Sequence, residues 1–285
     1  MAPTPSFVLL GQRYILFLGA GVSATSQDPQ GNRPPAWGEF LDKACNLVTA
    51  KPQKTAIKKL IKEGKLLIAL QAIKNGSDQA DYQNLLNHHF NNAGYIPSDL
   101  HQIIYNIDSR LLVTTNFDKI YERYCNSFHG ANLAYKVLDY RSQELADEVR
   151  SDTRLIIKAH GTIDQVGNMI FTRSEYHKAK QDYPHFYDVL KSLFMTNTIV
   201  FIGCGLEDPD IMLLLEDVRV TGRHLKPHYA LTKKGSRNRF LIEDWKSTYN
   251  IQVLEYGPNH SDLIGDMQNL LTKLETARAE AAGAA

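Results

Sequence analysis

The sequence predicts an α/β fold: a doubly wound parallel sheet with an inserted small helical module. Two observations predict it. Short runs rich in Val, Ile and Leu alternate with amphipathic stretches, the pattern of strands buried on both faces beneath helices. A long helix-like interval also separates the first two strands, too long to be one crossover. At 285 residues the chain suits one such domain with a small insert, so 1–285 reads as a single unit and 37–110 as a helical insertion within it.

The predicted strands are Tyr14 to Leu18, Leu111 to Thr115, Arg154 to Ala159, Thr198 to Ile202, His228 to Leu231 and Ile251 to Tyr256. Within the insertion, Trp37, Phe40, Leu41, Ala44 and Val48 form one stripe at helical spacing, and Ile57, Leu60 and Ile61 another. Leu66 to Ile73 follow, then Tyr82, Leu85, Leu86 and His89, and, after the breaker Pro97, Ile103, Ile104 and Ile107. From Ser261 a helix with Leu263, Met267, Leu270, Leu271 and Leu274 on one side gives way to alanine, glycine and charge, which predicts a flexible tail over 276–285.

Composition narrows the function classes. With 43% hydrophobic and 22% charged residues the chain is globular rather than disordered. Lys and Arg number 32 against 31 acidic residues, so no global field attracts nucleic acid or anionic lipid, and direct nucleic-acid binding is not expected. The basic stretches Lys51 to Lys65 and Lys233 to Arg239 read as solvated helix faces. Cys45, Cys125 and Cys204 are odd in number and far apart, which argues against a disulfide framework and for the cytoplasm. Met1 to Leu10 has no leader pattern and no run approaches a membrane span, so no membrane association is expected.

In open α/β sheets ligands gather outside the carboxyl ends of the strands, so the residues there carry the search. The first strand ends in Gly19-Ala20-Gly21-Val22-Ser23, where two glycines permit a tight turn and a close approach of bare N–H groups to a phosphate. The third glycine of a full dinucleotide fingerprint is absent, and a merely tight turn explains the motif too. The second strand delivers Asn116-Phe117-Asp118; Asn116 suits a turn and Asp118 a helix cap as readily as a ligand site. The third ends in Lys158-Ala159-His160-Gly161, placing at the same edge an imidazole suited to proton transfer near neutrality. The fourth ends in Gly203-Cys204-Gly205-Leu206, with Asp208 placed to cap a following helix, the glycines making room for ribose or phosphate and Cys204 a small packing residue.

The ordered set Gly-Ala-Gly-x-Ser, Thr-x-Asn-x-Asp, His-Gly and Gly-x-Gly-Leu, spanning Ile15 to Leu206, resembles the sirtuin superfamily with its Rossmann-like sheet. The resemblance implies NAD+ as substrate. Gly19, Ala20, Gly21 and Ser23 would meet its pyrophosphate, Asn116 and Asp118 its nicotinamide ribose, His160 would be catalytic, and Gly203, Cys204 and Gly205 would meet the adenosine ribose. Thr115 and Trp37 join the cofactor-binding set; Pro35-Ala36-Trp37 stands where sirtuins carry a Pro-Asp-Phe-Arg element, without its acid and arginine. Protein-deacylating sirtuins hold zinc through four cysteines, which three isolated cysteines cannot do, so no zinc is expected.

The chain therefore looks like the zinc-free, sirtuin-like branch of bacterial antiphage systems, which destroy NAD+. That implies an NAD+ hydrolase releasing nicotinamide and ADP-ribose in abortive infection. The competing readings are an NAD-dependent protein deacylase or ADP-ribosyltransferase, and a non-catalytic nucleotide-sensing scaffold. By the same analogy, a homo-oligomer and a separate sensor chain, such as a ring translocase ATPase or an Argonaute-like protein, are expected partners.

Overall fold

A computed structural model of the chain describes residues 14–35, 37–92, 94–127, 134–206 and 226–283, together with 211, 212, 214–216 and 218. Seven strands form one sheet in the order β3-β4-β2-β1-β5-β6-β7, with every neighbouring pair parallel. They are β1 (Tyr14–Leu18), β2 (Leu111–Thr114), β3 (Lys136–Asp139), β4 (Leu155–Lys158), β5 (Thr198–Ile202), β6 (His228–Lys233) and β7 (Ile251–Tyr256). Six of them are the predicted strands to within two residues. The seventh, β3, escapes the sequence because it is an edge strand of four residues flanked by charge, with Val137 half-exposed and only Leu138 buried.

Alternating side chains of each central strand enter two different cores. On one face Ile15, Phe17, Val113, Ile157 and Phe201 pack against the helices that follow β3, β4 and β6. Those helices are α8 (Leu145–Arg150), α9 (Arg173–Asp182), α10 (Pro184–Thr196) and α11 (Arg239–Thr248). On the other face Leu16, Leu18, Leu112, Ile156 and Ile202 meet α6 (Asp99–Ile107), α7 (Ile120–Asn126) and α12 (Asp262–Gly283). A parallel sheet covered on both sides is a Rossmann-like, doubly wound fold. From β1 the chain adds β2, passes to the edge for β3, inserts β4 between β3 and β2, then crosses to place β5 on the opposite side of β1. The switch point of the topology therefore lies between β1 and β5.

The interval between β1 and β2 divides by what its helices touch. The short α1 (Ala20–Ser23) directly follows β1. The helices α2 (Trp37–Ala44), α3 (Lys51–Lys62), α4 (Leu66–Gly76) and α5 (Gln79–Phe90) enclose their own core of Phe40, Leu41, Ile57, Leu70, Ile73 and Leu86. That core is continuous with Phe117, Ile163, Met169 and Phe171 from the loops above β2 and β4. The last helix of the predicted insertion, α6, instead lays Leu100, Ile103, Ile104 and Ile107 on the sheet beside α12. At the carboxyl end, α12 continues to Gly283, through most of the segment for which the sequence predicts a flexible tail. Its apolar stripe ends at Leu274, but Arg278 donates to the Ile107 carbonyl at 2.8 Å and so ties the next turn to α6.

Candidate active site

Four neighbouring strands, β4, β2, β1 and β5, end at one edge of the sheet, and the segments leaving them carry His160, Asn116 with Asp118, Gly19 to Ser23, and Gly203 to Gly205 in that order. Above this edge lies a cavity of about 440 Å³, within the range of small-molecule sites. Asn116, Asp118, His160, Gly19, Ala20, Ser23, Thr115, Trp37, Gly203, Cys204 and Gly205 all line it. Gly21 does not. The Glu207–Asp210 stretch, with its expected cap at Asp208, and Ala36 lie outside the described residues.

The glycine turn works differently from the expected cradle of bare amides. Gly19 donates its N–H to the Ile202 carbonyl at 2.9 Å, Gly21 to Gly203 at 2.9 Å, and Val22 back to Gly19 at 3.0 Å. The N–H of Ala20 carries no hydrogen bond among the described residues. A Cβ on Gly19 would stand 2.5 Å from the Gly203 oxygen, and one on Gly21 2.8 Å from the Gly203 Cα. Gly203 itself has φ +67°, and a Cβ there would lie 2.6 Å from the Val22 nitrogen. These glycines exist so that the turns after β1 and β5 can touch backbone to backbone. Cys204 packs in the same seam, its thiol near the Phe17 and Ile202 carbonyls.

The Asn116 segment is organised by side chains. The Thr114 hydroxyl donates to the Leu18 carbonyl at 2.7 Å and accepts the Asn116 N–H at 3.0 Å, pinning the end of β2 to the end of β1. The Asn116 amide donates both protons, to the Gly19 carbonyl at 2.9 Å and to Ser23 Oγ at 3.0 Å. Reversing the amide would set its oxygen against the Gly19 carbonyl, so the network fixes its orientation. Ser23 in turn donates to Asp118 Oδ2 at 2.7 Å. Asp118 Oδ1 accepts the Ile120 N–H, the first of α7, at 3.0 Å, so the carboxylate also serves the start of that helix, one residue before its N-cap Lys119. No described residue bonds Asn116 Oδ1, which leaves an acceptor of fixed direction on a residue that lines the cavity.

His160 is buried, its ring edge-on to Tyr176 with centroids 5.1 Å apart, and the Tyr176 hydroxyl lies 3.3 Å from Nε2. The His160 carbonyl accepts from Ile170, and Gly161, at φ +82°, admits the Asn168 carbonyl to within 2.6 Å of where a Cβ would sit. Gly161 thus makes room for a backbone carbonyl. Phe117 stacks on Phe171 at 4.1 Å, and Trp37 meets Phe171 edge-on at 5.4 Å, forming an aromatic roof contributed partly by the insertion.

Sequence reasoning missed Tyr176, Phe171, Arg173 and the start of α4, all of which line the cavity or its roof. None is marked by spacing; Tyr176 is delivered by α9, whose start is fixed by a Thr172–Glu175 capping box. Lys158, directly after the apolar run Leu155-Ile156-Ile157, is also buried although the sequence alone gives it no structural role. Among the described residues, no group of three His, Cys, Asp or Glu side chains could hold a metal ion, and no helix is long and apolar enough to cross a membrane.

Comparison with known proteins gives this geometry a lineage. The chain is 28% identical to an NAD(+) hydrolase ThsA of Enterococcus faecium over 87% of its own length and 49% of the relative's. It is 25% identical to Defense-associated sirtuin 2 of Bacillus subtilis over 92% of the chain and 24% of that protein. A second ThsA, from Cytobacillus dafuensis, is 24% identical over 79% of the chain and 42% of its own length. The chain thus spans about half or less of the length of these curated relatives. The family model described as a SIR2-like domain matches residues 110–254, half of the sequence and the part that carries Asn116, Asp118, His160 and the Gly203 turn, and the chain belongs to that SIR2-like family.

Proposed function

We propose that this chain is an NAD+ hydrolase that cleaves the bond between nicotinamide and ribose, giving nicotinamide and ADP-ribose, and that it depletes NAD+ in antiphage defence. The observation that carries the reading is the amide of Asn116: both its protons are engaged, so it offers a directed carbonyl to a water or a ribose hydroxyl at the cavity wall. Cleavage develops positive charge on the ribose, as in glycoside hydrolysis. Asn116 Oδ1 orients the attacking water, the Asp118 carboxylate supports the cationic sugar, and His160 engages a ribose hydroxyl and manages its proton. Ala20 N–H, Ser23, Thr115, Trp37 and the Gly203 to Gly205 turn would bind the rest of the dinucleotide, with Gly19 and Gly21 shaping the turn. The names of two relatives, both NAD(+) hydrolases, support the chemistry, and that of the third, a defense-associated sirtuin, supports the setting.

A homo-oligomer working with a separate sensor chain in the cytoplasm completes the proposal. The test is nicotinamide release by the assembled protein, with and without an acylated peptide, for the wild type, Asn116→Ala and His160→Ala. Release without peptide, lost in both variants, is expected. Turnover only with peptide would make the protein a deacylase, and NAD+ binding that never yields nicotinamide would make it a nucleotide-sensing scaffold.

A further inference from the structure

Lys158 is 1% exposed at the end of β4, where an ammonium is costly to bury unless every proton finds an acceptor. Its three donors find three acceptors: Glu122 of α7, the Asp118 carbonyl at 2.6 Å and the Phe117 carbonyl at 3.3 Å. Glu122 alone neutralises the charge. The other two acceptors are main-chain carbonyls of the segment that carries Asn116 and Asp118, and Lys158 stands two residues before His160. The same segment is held at its other side by the Ser23 and Gly19 contacts of Asn116 and Asp118.

We propose that Lys158 is a positioning residue: its buried ammonium clamps the Phe117 and Asp118 carbonyls and so sets where Asn116 Oδ1 and the Asp118 carboxylate stand relative to His160. It touches no substrate and acts through the loop. The kinetic consequence rests on the NAD+ hydrolase reading; the geometric one does not.

Lys158→Met alone leaves the Glu122 carboxylate buried without its partner and can fail to fold. The informative variant is Lys158→Met/Glu122→Leu, which removes both charges at similar volume, a replacement that buried ion pairs often tolerate. Glu122→Gln is its companion: it leaves the Lys158 ammonium without its counter-charge but with an amide oxygen and both carbonyls to bond, so its turnover is counted per folded molecule from the thermal unfolding. Thermal unfolding, NAD+ affinity by calorimetry, nicotinamide release and amide hydrogen exchange are measured on each. The double variant is expected to fold and bind NAD+ within about threefold of wild type, with kcat lowered about a hundredfold, the scale of a roughly 1 Å misplacement. Exchange at the Ile120 amide, which Asp118 Oδ1 accepts, should quicken while the sheet stays protected. Glu122→Gln should keep kcat within about threefold.

Unchanged exchange at Ile120 in the double variant, or an unchanged kcat, overturns the proposal. So does a loss of kcat in Glu122→Gln as large as in the double variant, since the ion pair and not the carbonyl clamp would then matter. If the wild-type assembly releases no nicotinamide, the hydrolase reading fails by itself, and the exchange result alone decides the role of Lys158.

Discussion

The two halves of the site are built on opposite plans. On the β1–β5 side, the Gly19 to Ser23 and Gly203 to Gly205 turns meet backbone to backbone, so close that a single added Cβ collides. On the β2–β4 side, contact runs through side chains: Thr114, Asn116, Asp118 and the buried Lys158, with Ser23 reaching across from the β1 turn. That contrast separates residues held by space from residues held by hydrogen bonding. In the glycine half, residue choice is dictated by space, and the amides are mostly paired with protein. In the Asn116 half, residue choice is dictated by donors and acceptors, and one acceptor is left over at the cavity.

The largest effect is expected for Asn116→Ala. If the Asn116 half performs the chemistry, nicotinamide release should fall by about 10²–10³, or roughly 3–4 kcal/mol of barrier, with the folded state retained in circular dichroism. A variant with more than a tenth of wild-type turnover would remove the distinction between the halves.

Acid tests whether both halves rest on equally dry supports. Burial pushes His101, behind the Asn116 half on α6, and His228, behind the glycine half on β6, each down to about 4. Each ring accepts a backbone N–H at Nδ1, from Ser98 and Ile199 respectively, and is neutral in the fold. The unfolded chain, with histidines near 6.5, takes up protons first; stability is full above about pH 6.5, falls as pH drops toward 4, and the loss levels off below that. The expected loss is roughly 3 kcal/mol for each histidine, read from urea unfolding between pH 7 and pH 4. A flat profile over that window would contradict the burial of both rings.

Gly21→Ala separates shape from ligand contact, because Gly21 lies in the seam and outside the cavity lining. Forcing a methyl to 2.8 Å from the Gly203 Cα should cost about 1–3 kcal/mol of unfolding free energy in urea titration. An unaltered midpoint would show that the seam yields. The smallest effect is expected for Cys204→Ser, a near-isosteric change at a cavity-lining residue that supplies no nucleophile: kcat for nicotinamide release should stay within about twofold, any change falling on KM, and stability within about 1 kcal/mol. Abolished turnover in a folded variant would move the chemistry to the glycine half.

Much of this is legible in the sequence alone. The alternation of apolar runs and amphipathic stretches predicts the sheet, because strands buried on both faces need apolar residues at consecutive positions. The strand-end rule points to Asn116, Asp118 and His160 because ligands of open α/β sheets bind outside the carboxyl ends of the strands. What was not legible has equally physical reasons. Edge strand β3 lacks a two-sided apolar pattern, and α6 resembles the insertion helices because an amphipathic stripe does not say which surface it covers. The aromatic roof joins Trp37, Phe117 and Phe171, which lie far apart in sequence, and only folding brings them together.

By itself the sequence determined the parallel sheet, the strand ends and the residue types that stand on them, since burial periodicity and backbone freedom are local properties. The tertiary structure decided their division of labour. Whether a glycine faces a phosphate or another glycine, and whether an asparagine amide has a free oxygen, depends on neighbours some 90 to 190 residues away in the chain. Those neighbours are set by strand order, which places β1 between β2 and β5, and strand order is a property of the whole fold.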